Sequence, residues 1–231
     1  MHQKLILFDI DGTLLLIDSL ADLAFRAMTR DVYGLECTFR EISYAGKTDP
    51  AILEEVLKLH GFDTATIWGR YAVSVEKYCS YFDYYAGKNS FQVTVYPGVI
   101  PLITELQKMP EMHLAILTGN LEYTGWRKLD LAGLKHYFTF GAFGSDAKVR
   151  SELVGVAVKR AEESCGVAFS GKSIVIIGDS PHDVECGKPY GATAIAVATG
   201  HSSLEELKVH EPDYAFKDLG DYQKVIEVLI K

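Results

Sequence analysis

The stretch Leu5-Ile6-Leu7-Phe8-Asp9-Ile10-Asp11-Gly12-Thr13-Leu14 lies close to the N-terminus and indicates the fold of the chain. Its four consecutive apolar residues predict a short strand buried on both faces, as in a parallel sheet covered by helices. An ionised carboxylate is costly to bury, so Asp9 and Asp11 are expected where the strand leaves the sheet. Parallel sheets bind ligands at these strand ends. The two aspartates therefore predict a reaction centre, with a simple Asp-Gly turn as the alternative.

The size, charge and cysteine content of the chain exclude several classes of protein. A length of 231 residues suffices for one large domain or for a core domain with an insertion. The net charge of −8 argues against a nucleic-acid-binding or anionic-membrane surface. The four cysteines are scattered, without zinc-ligand spacing. Because the sequence shows neither a signal-peptide pattern nor an apolar run of about 18 residues, we expect a cytoplasmic protein that binds no membrane.

Predicted strands and helices alternate along most of the chain, which indicates an α/β fold with a doubly wound parallel sheet. Residues 18–92 differ, because they show helical periodicity and no convincing buried strand. Within them we predict one helix over 20–30, a second that starts at Asp49-Pro50 and ends at Gly61, and a single long helix over 67–85. We therefore expect an all-helical domain, residues 18–92, inserted into an α/β core of residues 1–17 and 93–231. Further core strands are predicted over 113–117, 139–143, 173–177, 193–198 and 214–216.

Each strong predicted strand ends in a small polar cluster. The carboxyl ends of parallel strands meet at one edge of a sheet, so clusters far apart in sequence are expected to share a site. Their carboxylates would repel one another without a cation, and hard oxygen ligands favour Mg²⁺ over zinc. The clusters are Asp9 with Asp11, Thr118 with Gly119 and Asn120, and Gly178 with Asp179 and Asp183.

The segment Asp9-Ile10-Asp11-Gly12-Thr13 resembles the first motif, Asp-x-Asp-Gly-Thr, of the haloacid dehalogenase superfamily, and the later clusters resemble its other motifs in order. The resemblance covers essentially the whole chain, and most members of the superfamily are phosphohydrolases. It implies that Asp9 is the nucleophile that becomes an aspartyl-phosphate. It also implies that Asp11 protonates the leaving alcohol and then activates the attacking water. Dehalogenases of the superfamily lack this second aspartate and need no Mg²⁺, so its presence favours phosphoryl transfer.

The second and third motifs would bind the phosphoryl group. Thr118 resembles the second motif, whose hydroxyl bonds a phosphoryl oxygen, helped by the main-chain N–H groups of Gly119 and Asn120. The third motif supplies a cation. Similar members often place a lysine before a proline there, and this chain lacks that pair. We expect Arg150 in this role, with Lys148 as the alternative.

The fourth motif, Gly178-Asp179-Ser180-x-x-Asp183, would complete the metal site. The resemblance implies that Asp179 binds Mg²⁺ together with Asp9 and the main-chain carbonyl of Asp11. Asp183 would hold a metal-bound water or orient Asp179. Each of these aspartates alone could be a helix N-cap, but together they fit a metal site better.

The predicted inserted helices resemble the mobile cap of phosphoglycolate-phosphatase-like members, which closes over the substrate and excludes water. Gly46-Lys47-Thr48-Asp49 is then a candidate substrate-facing loop, in which Lys47 either contacts an anionic leaving group or is an ordinary exposed lysine.

The leading hypothesis is a Mg²⁺-dependent phosphatase for a small phosphomonoester, with phosphoglycolate as a plausible substrate. A phosphomutase and a non-catalytic, receiver-like phosphate-binding protein are the alternatives. Monomeric and homodimeric states both stay open.

Overall fold

The computed structural model describes residues 3–88 and 91–231, so residues 1, 2, 89 and 90 of the predicted domains lie outside the described residues. Its strands and helices alternate, apart from a run of four helices near the N-terminus. In chain order the elements are β1 (Lys4–Phe8), β2 (Leu15–Ile17), α1 (Leu20–Tyr33), α2 (Asp49–Leu59), α3 (Thr64–Gly69), α4 (Tyr71–Ala86), β3 (Val93–Val95), α5 (Val99–Leu106), β4 (Met112–Leu117), α6 (Glu122–Leu131), β5 (Gly141–Ala142), α7 (Arg150–Cys165), β6 (Ile174–Gly178), α8 (Pro181–Cys186), β7 (Thr193–Val197), α9 (Leu204–Val209), β8 (Tyr214–Phe216) and α10 (Tyr222–Leu229).

Six strands form one parallel sheet in the order β5-β4-β1-β6-β7-β8. The first strand lies inside the sheet, with Leu7 in register with Ala115 of β4 and Ile176 of β6. Alternate side chains of β1 enter different parts of the core, Ile6 and Phe8 on one face and Leu5 and Leu7 on the other. The predicted parallel α/β fold is confirmed, and the ends of β1, β4 and β6 become neighbours.

Strand β2 precedes the four helices and strand β3 follows them, and the two strands pair as an antiparallel ribbon. Leu15 pairs with Val95 and Ile17 with Val93, so the chain enters and leaves the helical stretch side by side. Neither strand was predicted from the sequence. The division into a core and an inserted cap domain of residues 18–92 remains our proposal, and the ribbon is where we would place its boundary.

The single helix predicted over 67–85 is wrong, because the structure has two helices, α3 and α4, that meet at Arg70. The side chain of Asp63 accepts a hydrogen bond from the N–H of Thr66 at 2.7 Å and starts α3 early. Gly69, a poor helix former, then lets the first helix end. The second helix packs along α1, where the hydroxyls of Tyr33 and Ser74 lie 3.0 Å apart.

The helices are short in comparison with a membrane span. Helices α4 and α7 have 16 residues each, whereas a transmembrane helix needs about 20 apolar residues. Within residues 3–88 and 91–231, no helix has the length and apolar character needed to cross a bilayer.

Candidate active site

The predicted site residues meet at one edge of the parallel sheet. Asp9 follows β1, Thr118 follows β4, and Asp179 follows β6. Arg150 is the first residue of α7, and its side chain reaches the same place. All four side chains are buried. The structure therefore brings together residues that lie up to 170 positions apart in the sequence.

Asp9, Asp179 and Asp183 form a cluster in which one carboxylate oxygen from each lies within 4.8 Å of the others. Burial raises the pKa of Asp179, and the neighbouring carboxylates of Asp183 and Asp9 raise it further. Burial also raises the pKa of Asp9, while Arg150 acts in the opposite direction. Buried carboxylates that repel one another are the oxygen donors that a divalent cation such as Mg²⁺ stabilises. The residues present therefore fit the expected ion.

A helix start holds Asp183 in place. Ser180 caps the short helix α8, and Asp183 at the third helical position accepts hydrogen bonds from the Ser180 N–H at 3.0 Å and its hydroxyl at 2.5 Å. This reciprocal capping box fixes the carboxylate beside the cluster. The three-residue separation of Ser180 and Asp183 in the fourth motif is thus what the capping box requires, in addition to the expected role of Asp183 at the metal site.

The turn after the first motif packs tightly against Asp179. Gly12 has a φ of 82°, and a Cβ atom there would lie 2.3 Å from the Asp179 Oδ2. A side chain at this position would therefore be strained and would displace the carboxylate. The hydroxyl of Thr13 donates to the Asp179 Oδ1 at 3.1 Å. This contact explains the last residue of the motif, to which the sequence analysis gave no role.

Arg150 lies among the carboxylates. Its Nη2 is 3.2 Å from the Asp9 Oδ1 and 2.5 Å from the Asp183 Oδ1, and its Nη1 donates to the Gly46 carbonyl at 3.1 Å. Burial lowers the pKa of Arg150, but Asp183 and Asp9 outweigh it and raise the pKa, so the guanidinium stays charged. Its buried Nε has no hydrogen-bond acceptor among the described residues. Such a donor suits a site that binds an oxyanion.

Lys148, the alternative cation, points away from the cluster. Its ammonium group pairs with Glu54 of α2 and lies 5.5 Å from the centre of the Trp68 ring. The hydrogen bond from Lys148 is the main cause that lowers the pKa of Glu54 to about 2. Of the two candidates, only Arg150 contacts the aspartates.

Asp11 lies beside the cluster and makes a different set of contacts. Its Oδ2 accepts hydrogen bonds from the Asn120 Nδ2 and the Lys128 Nζ, both at 2.7 Å. The Asn120 Nδ2 also donates to the Thr118 Oγ1 at 2.8 Å, and the Asn120 main-chain N–H lies 3.4 Å from the same hydroxyl. Asn120 thus contributes its side-chain amide, which links Asp11 to Thr118. Metal binding through the Asp11 main-chain carbonyl stays a prediction.

Lys128 is a site residue that the sequence analysis missed. It is buried on α6, and its Nζ donates to both Asp11 and the Asn120 Oδ1, each at 2.7 Å. The available signal was its place on the helix after the second motif. Lys128 follows buried Thr124 by four residues and precedes buried Leu129, so it lies on the inward face.

The candidate loop of residues 46–49 lies against Gly119, just after the end of β4. Lys47 pairs with Glu55 at 2.5 Å instead of projecting a free charge into the site. A Cβ atom on Gly119 would lie 2.1 Å from the Lys47 carbonyl oxygen, so Gly119 allows the loop to come this close. The Asp49 N–H donates to the Gly119 carbonyl at 2.7 Å. Gly119 therefore serves as a docking point for the loop in this structure, and its phosphate-binding role stays a prediction.

Asp49 predicts a pH-dependent difference in stability. One of its oxygens accepts the Leu121 N–H at 2.8 Å, and burial raises its pKa from 3.8 to about 6. The folded protein therefore binds this proton more tightly than the unfolded chain, and stability falls as the pH rises from about 4 to about 6. We expect Asp49→Asn to be about 1–3 kcal/mol more stable than the unaltered protein near pH 8, because each pKa unit corresponds to about 1.4 kcal/mol.

Thermal denaturation of the unaltered protein and Asp49→Asn between about pH 4 and pH 8 measures this difference. It should shrink as the pH falls towards about 4, where the folded carboxyl is protonated and the unfolded carboxyl begins to bind its proton. A difference that is the same at every pH would contradict the assignment to Asp49 ionisation.

The sequence and the structure were compared with those of known proteins. A family model described as haloacid dehalogenase-like hydrolase matches residues 6–197. A phosphoglycolate phosphatase of Pseudomonas savastanoi pv. phaseolicola is 28% identical over 226 residues, covering 94% of this chain and 77% of the relative. The pyrophosphatase PpaX of Oceanobacillus iheyensis is 24% identical over 231 residues, covering 98% of each chain. The crystal structure of a β-phosphoglucomutase from Clostridium difficile has a TM-score of 0.72 at 16% identity, covering 100% of both chains.

These matches agree with the fold and with the order of the motifs. The structural neighbour supports the parallel sheet with its helices, and the family model includes every predicted site residue from Asp9 to Asp183. The expected family and the expectation of a hydrolase are confirmed. The chain belongs to the haloacid dehalogenase-like hydrolases.

Proposed function

We propose that the protein is a Mg²⁺-dependent phosphatase that hydrolyses a small phosphomonoester through an aspartyl-phosphate on Asp9. The observation that carries this proposal is the buried contact of Asp9 with Arg150 inside a cluster of carboxylates. A nucleophile beside a fixed cation suits attack on an anionic phosphoryl group. Two relatives named as a phosphoglycolate phosphatase and a pyrophosphatase support the same chemistry.

The side chains of Asp9, Asp179 and Asp183 would hold the ion, with the Asp11 main-chain carbonyl as the further ligand implied by the resemblance. When bound, Mg²⁺ would offset the charge of the phosphoryl group and of the carboxylates. Arg150 supplies a second positive charge from the protein itself and contacts Asp9 directly. The side chain of Thr118 would donate a hydrogen bond to a phosphoryl oxygen.

In the first step a carboxylate oxygen of Asp9 would attack phosphorus, the bond to the leaving oxygen would break, and Asp11 would give its proton to that oxygen. In the second step Asp11 would take a proton from water, which attacks phosphorus and releases Asp9 and inorganic phosphate. Lys128 and Asn120 hold the Asp11 carboxylate from one side. We assign them a positioning role, since they would fix the direction in which Asp11 transfers its proton.

Phosphate release from a panel of small phosphomonoesters, including phosphoglycolate, tests the function and its metal dependence. We expect turnover with Mg²⁺, its loss in excess EDTA and its recovery when Mg²⁺ is restored. Turnover that persists after complete metal removal would contradict the metal assignment. Formation of an isomeric phosphate ester without free phosphate would show a phosphomutase, and binding without turnover would show the receiver-like alternative.

We also predict a cytoplasmic protein, monomeric or homodimeric, without nucleic-acid or membrane partners.

A further inference from the structure

A cavity of about 440 Å³ extends from Asp9 and Asp11 into the inserted helices. Cavities of about 300–1,000 Å³ hold drug-sized ligands. The space is therefore larger than the phosphoryl group and a two-carbon acid require. The part of the wall supplied by the inserted helices is largely apolar, with Phe25, Met28, Ile52, Leu53, Val75 and Tyr78 among its residues.

Each lysine and arginine that lines this cavity within the described residues already has a carboxylate partner. Lys128 contacts Asp11, and Arg150 contacts Asp9. Both cations are therefore held by the aspartates proposed to carry out the reaction. The remaining two are Lys47, which pairs with Glu55 at 2.5 Å, and Arg40, which lies 4.0 Å from Asp22. Close carboxylates therefore neutralise Lys128, Arg150 and Lys47, and among the described residues of the wall Arg40, whose side chain is 55% exposed, is the cation with the loosest partner.

The cavity wall instead carries negative groups. One oxygen of Asp49 accepts the Leu121 N–H, and the other accepts no hydrogen bond from the described residues. Asp22 accepts the Thr38 hydroxyl and is partly offset by Arg40 at 4.0 Å, whereas Asp18 accepts the Ser19 hydroxyl at 3.0 Å and has no cationic partner among the described residues. All three aspartates line the cavity. Carboxylates in a partly desolvated wall disfavour a second negative charge on the substrate.

We propose that the leaving group of the substrate is an uncharged, mainly apolar alcohol, alkyl or arylalkyl, and not a hydroxy acid such as glycolate. This inference rests on the proposed phosphatase function and concerns its specificity. The phosphoryl group would lie at Asp9 and Arg150, while the apolar part would fill the space lined by Met28, Leu53 and Val75.

The first test compares kcat/KM for ethyl, butyl and hexyl phosphate with that for phosphoglycolate, all with Mg²⁺. Burial of each methylene group should raise kcat/KM by about three- to fourfold until the cavity is filled, so hexyl phosphate should exceed ethyl phosphate by about 100-fold. Phosphoglycolate should be no better than ethyl phosphate. A preference for phosphoglycolate over the whole alkyl series would overturn the inference and leave the phosphatase function intact.

Two valines on α4 give a matched pair of variants. Val75 lines the cavity, whereas Val73 does not line it and is 49% exposed. We expect Val75→Arg to lower kcat/KM for hexyl phosphate by at least about tenfold and to improve phosphoglycolate relative to it, because a cation replaces apolar wall. Val73→Arg should leave both values unchanged. Equal effects of the two variants would contradict the placement of the leaving group.

Val75→Thr, which keeps the shape of the side chain, provides the same test if Val75→Arg does not fold, with a smaller loss for hexyl phosphate. Binding provides a readout that does not need turnover. Calorimetry with Mg²⁺ present should show tighter binding of hexylphosphonate than of phosphonoacetate. The opposite order would overturn the inference, even if the protein hydrolyses none of the esters and the proposed function has failed.

Discussion

Replacing Asp9 with asparagine is expected to reduce phosphate release at least about 10³-fold, because the amide oxygen lacks the charge and nucleophilicity of the carboxylate. The variant should remain folded. Burial raises the pKa of Asp9, and the like charges of Asp183 and Asp11 raise it further, so a neutral side chain of similar size relieves this penalty. Phosphate release with Mg²⁺ measures the activity, and thermal denaturation checks that the variant is folded.

Asp130→Asn is the matched control, since Asp130 lies on the surface of α6 and pairs with Arg127 at 2.8 Å. It should keep the activity of the unaltered protein. If Asp9→Asn kept substantial activity, the assignment of the nucleophile would be wrong.

Replacing Arg150 with methionine should cost both activity and stability. Removal of a preorganised cation from the phosphoryl site typically lowers kcat by about 10²–10³-fold. In the absence of metal, Asp9 and Asp183 would also lose their buried cationic partner, and loss of such a partner costs about 3–5 kcal/mol. Initial rates with Mg²⁺ and denaturant unfolding in EDTA measure the two effects separately.

Lys148→Met separates the two candidate cations. The Lys148 side chain is 46% exposed, and its partner Glu54 keeps a second lysine, Lys58, at 2.7 Å. Loss of an exposed pair of this kind costs at most about 1 kcal/mol, so activity should change little. A large loss of activity in Lys148→Met, together with tolerance of Arg150→Met, would reverse the assignment.

Much of the fold could be predicted because the core strands are long enough to show a pattern. Leu5 to Phe8 form an unbroken apolar run, and the structure buries it on both faces of the sheet. The β2–β3 ribbon was missed because two strands of three residues contain too little sequence for a period to appear. The predicted long helix is in fact two helices because Asp63 caps the first one and Gly69 ends it. These two local signals were overlooked because the apolar residues keep a helical spacing across the break.

Site residues could be predicted where a polar side chain directly follows a core strand, as Asp9 and Asp179 do. Lys128 was missed because a lysine in a helix normally has its charge in solvent, and its place on the inward face of α6 is only a weak signal against that expectation. Its partner Asp11 lies 117 positions away, and only the folded chain brings the two together. The distinction between Arg150 and Lys148 likewise depends on the start of α7, which directs the two side chains to different partners.

The covalent intermediate provides the most direct test of the mechanism. Protein mixed with a good substrate such as phenyl phosphate and Mg²⁺ would be quenched in the steady state, and borohydride would reduce any acyl-phosphate to an alcohol. Mass spectrometry of the digested protein then locates the modified residue. We predict substrate-dependent reduction at Asp9 of the unaltered protein and none at position 9 of Asp9→Asn. Reduction at another residue would contradict the account, as would rapid turnover with no modified residue in a quench shown to capture acyl-phosphates.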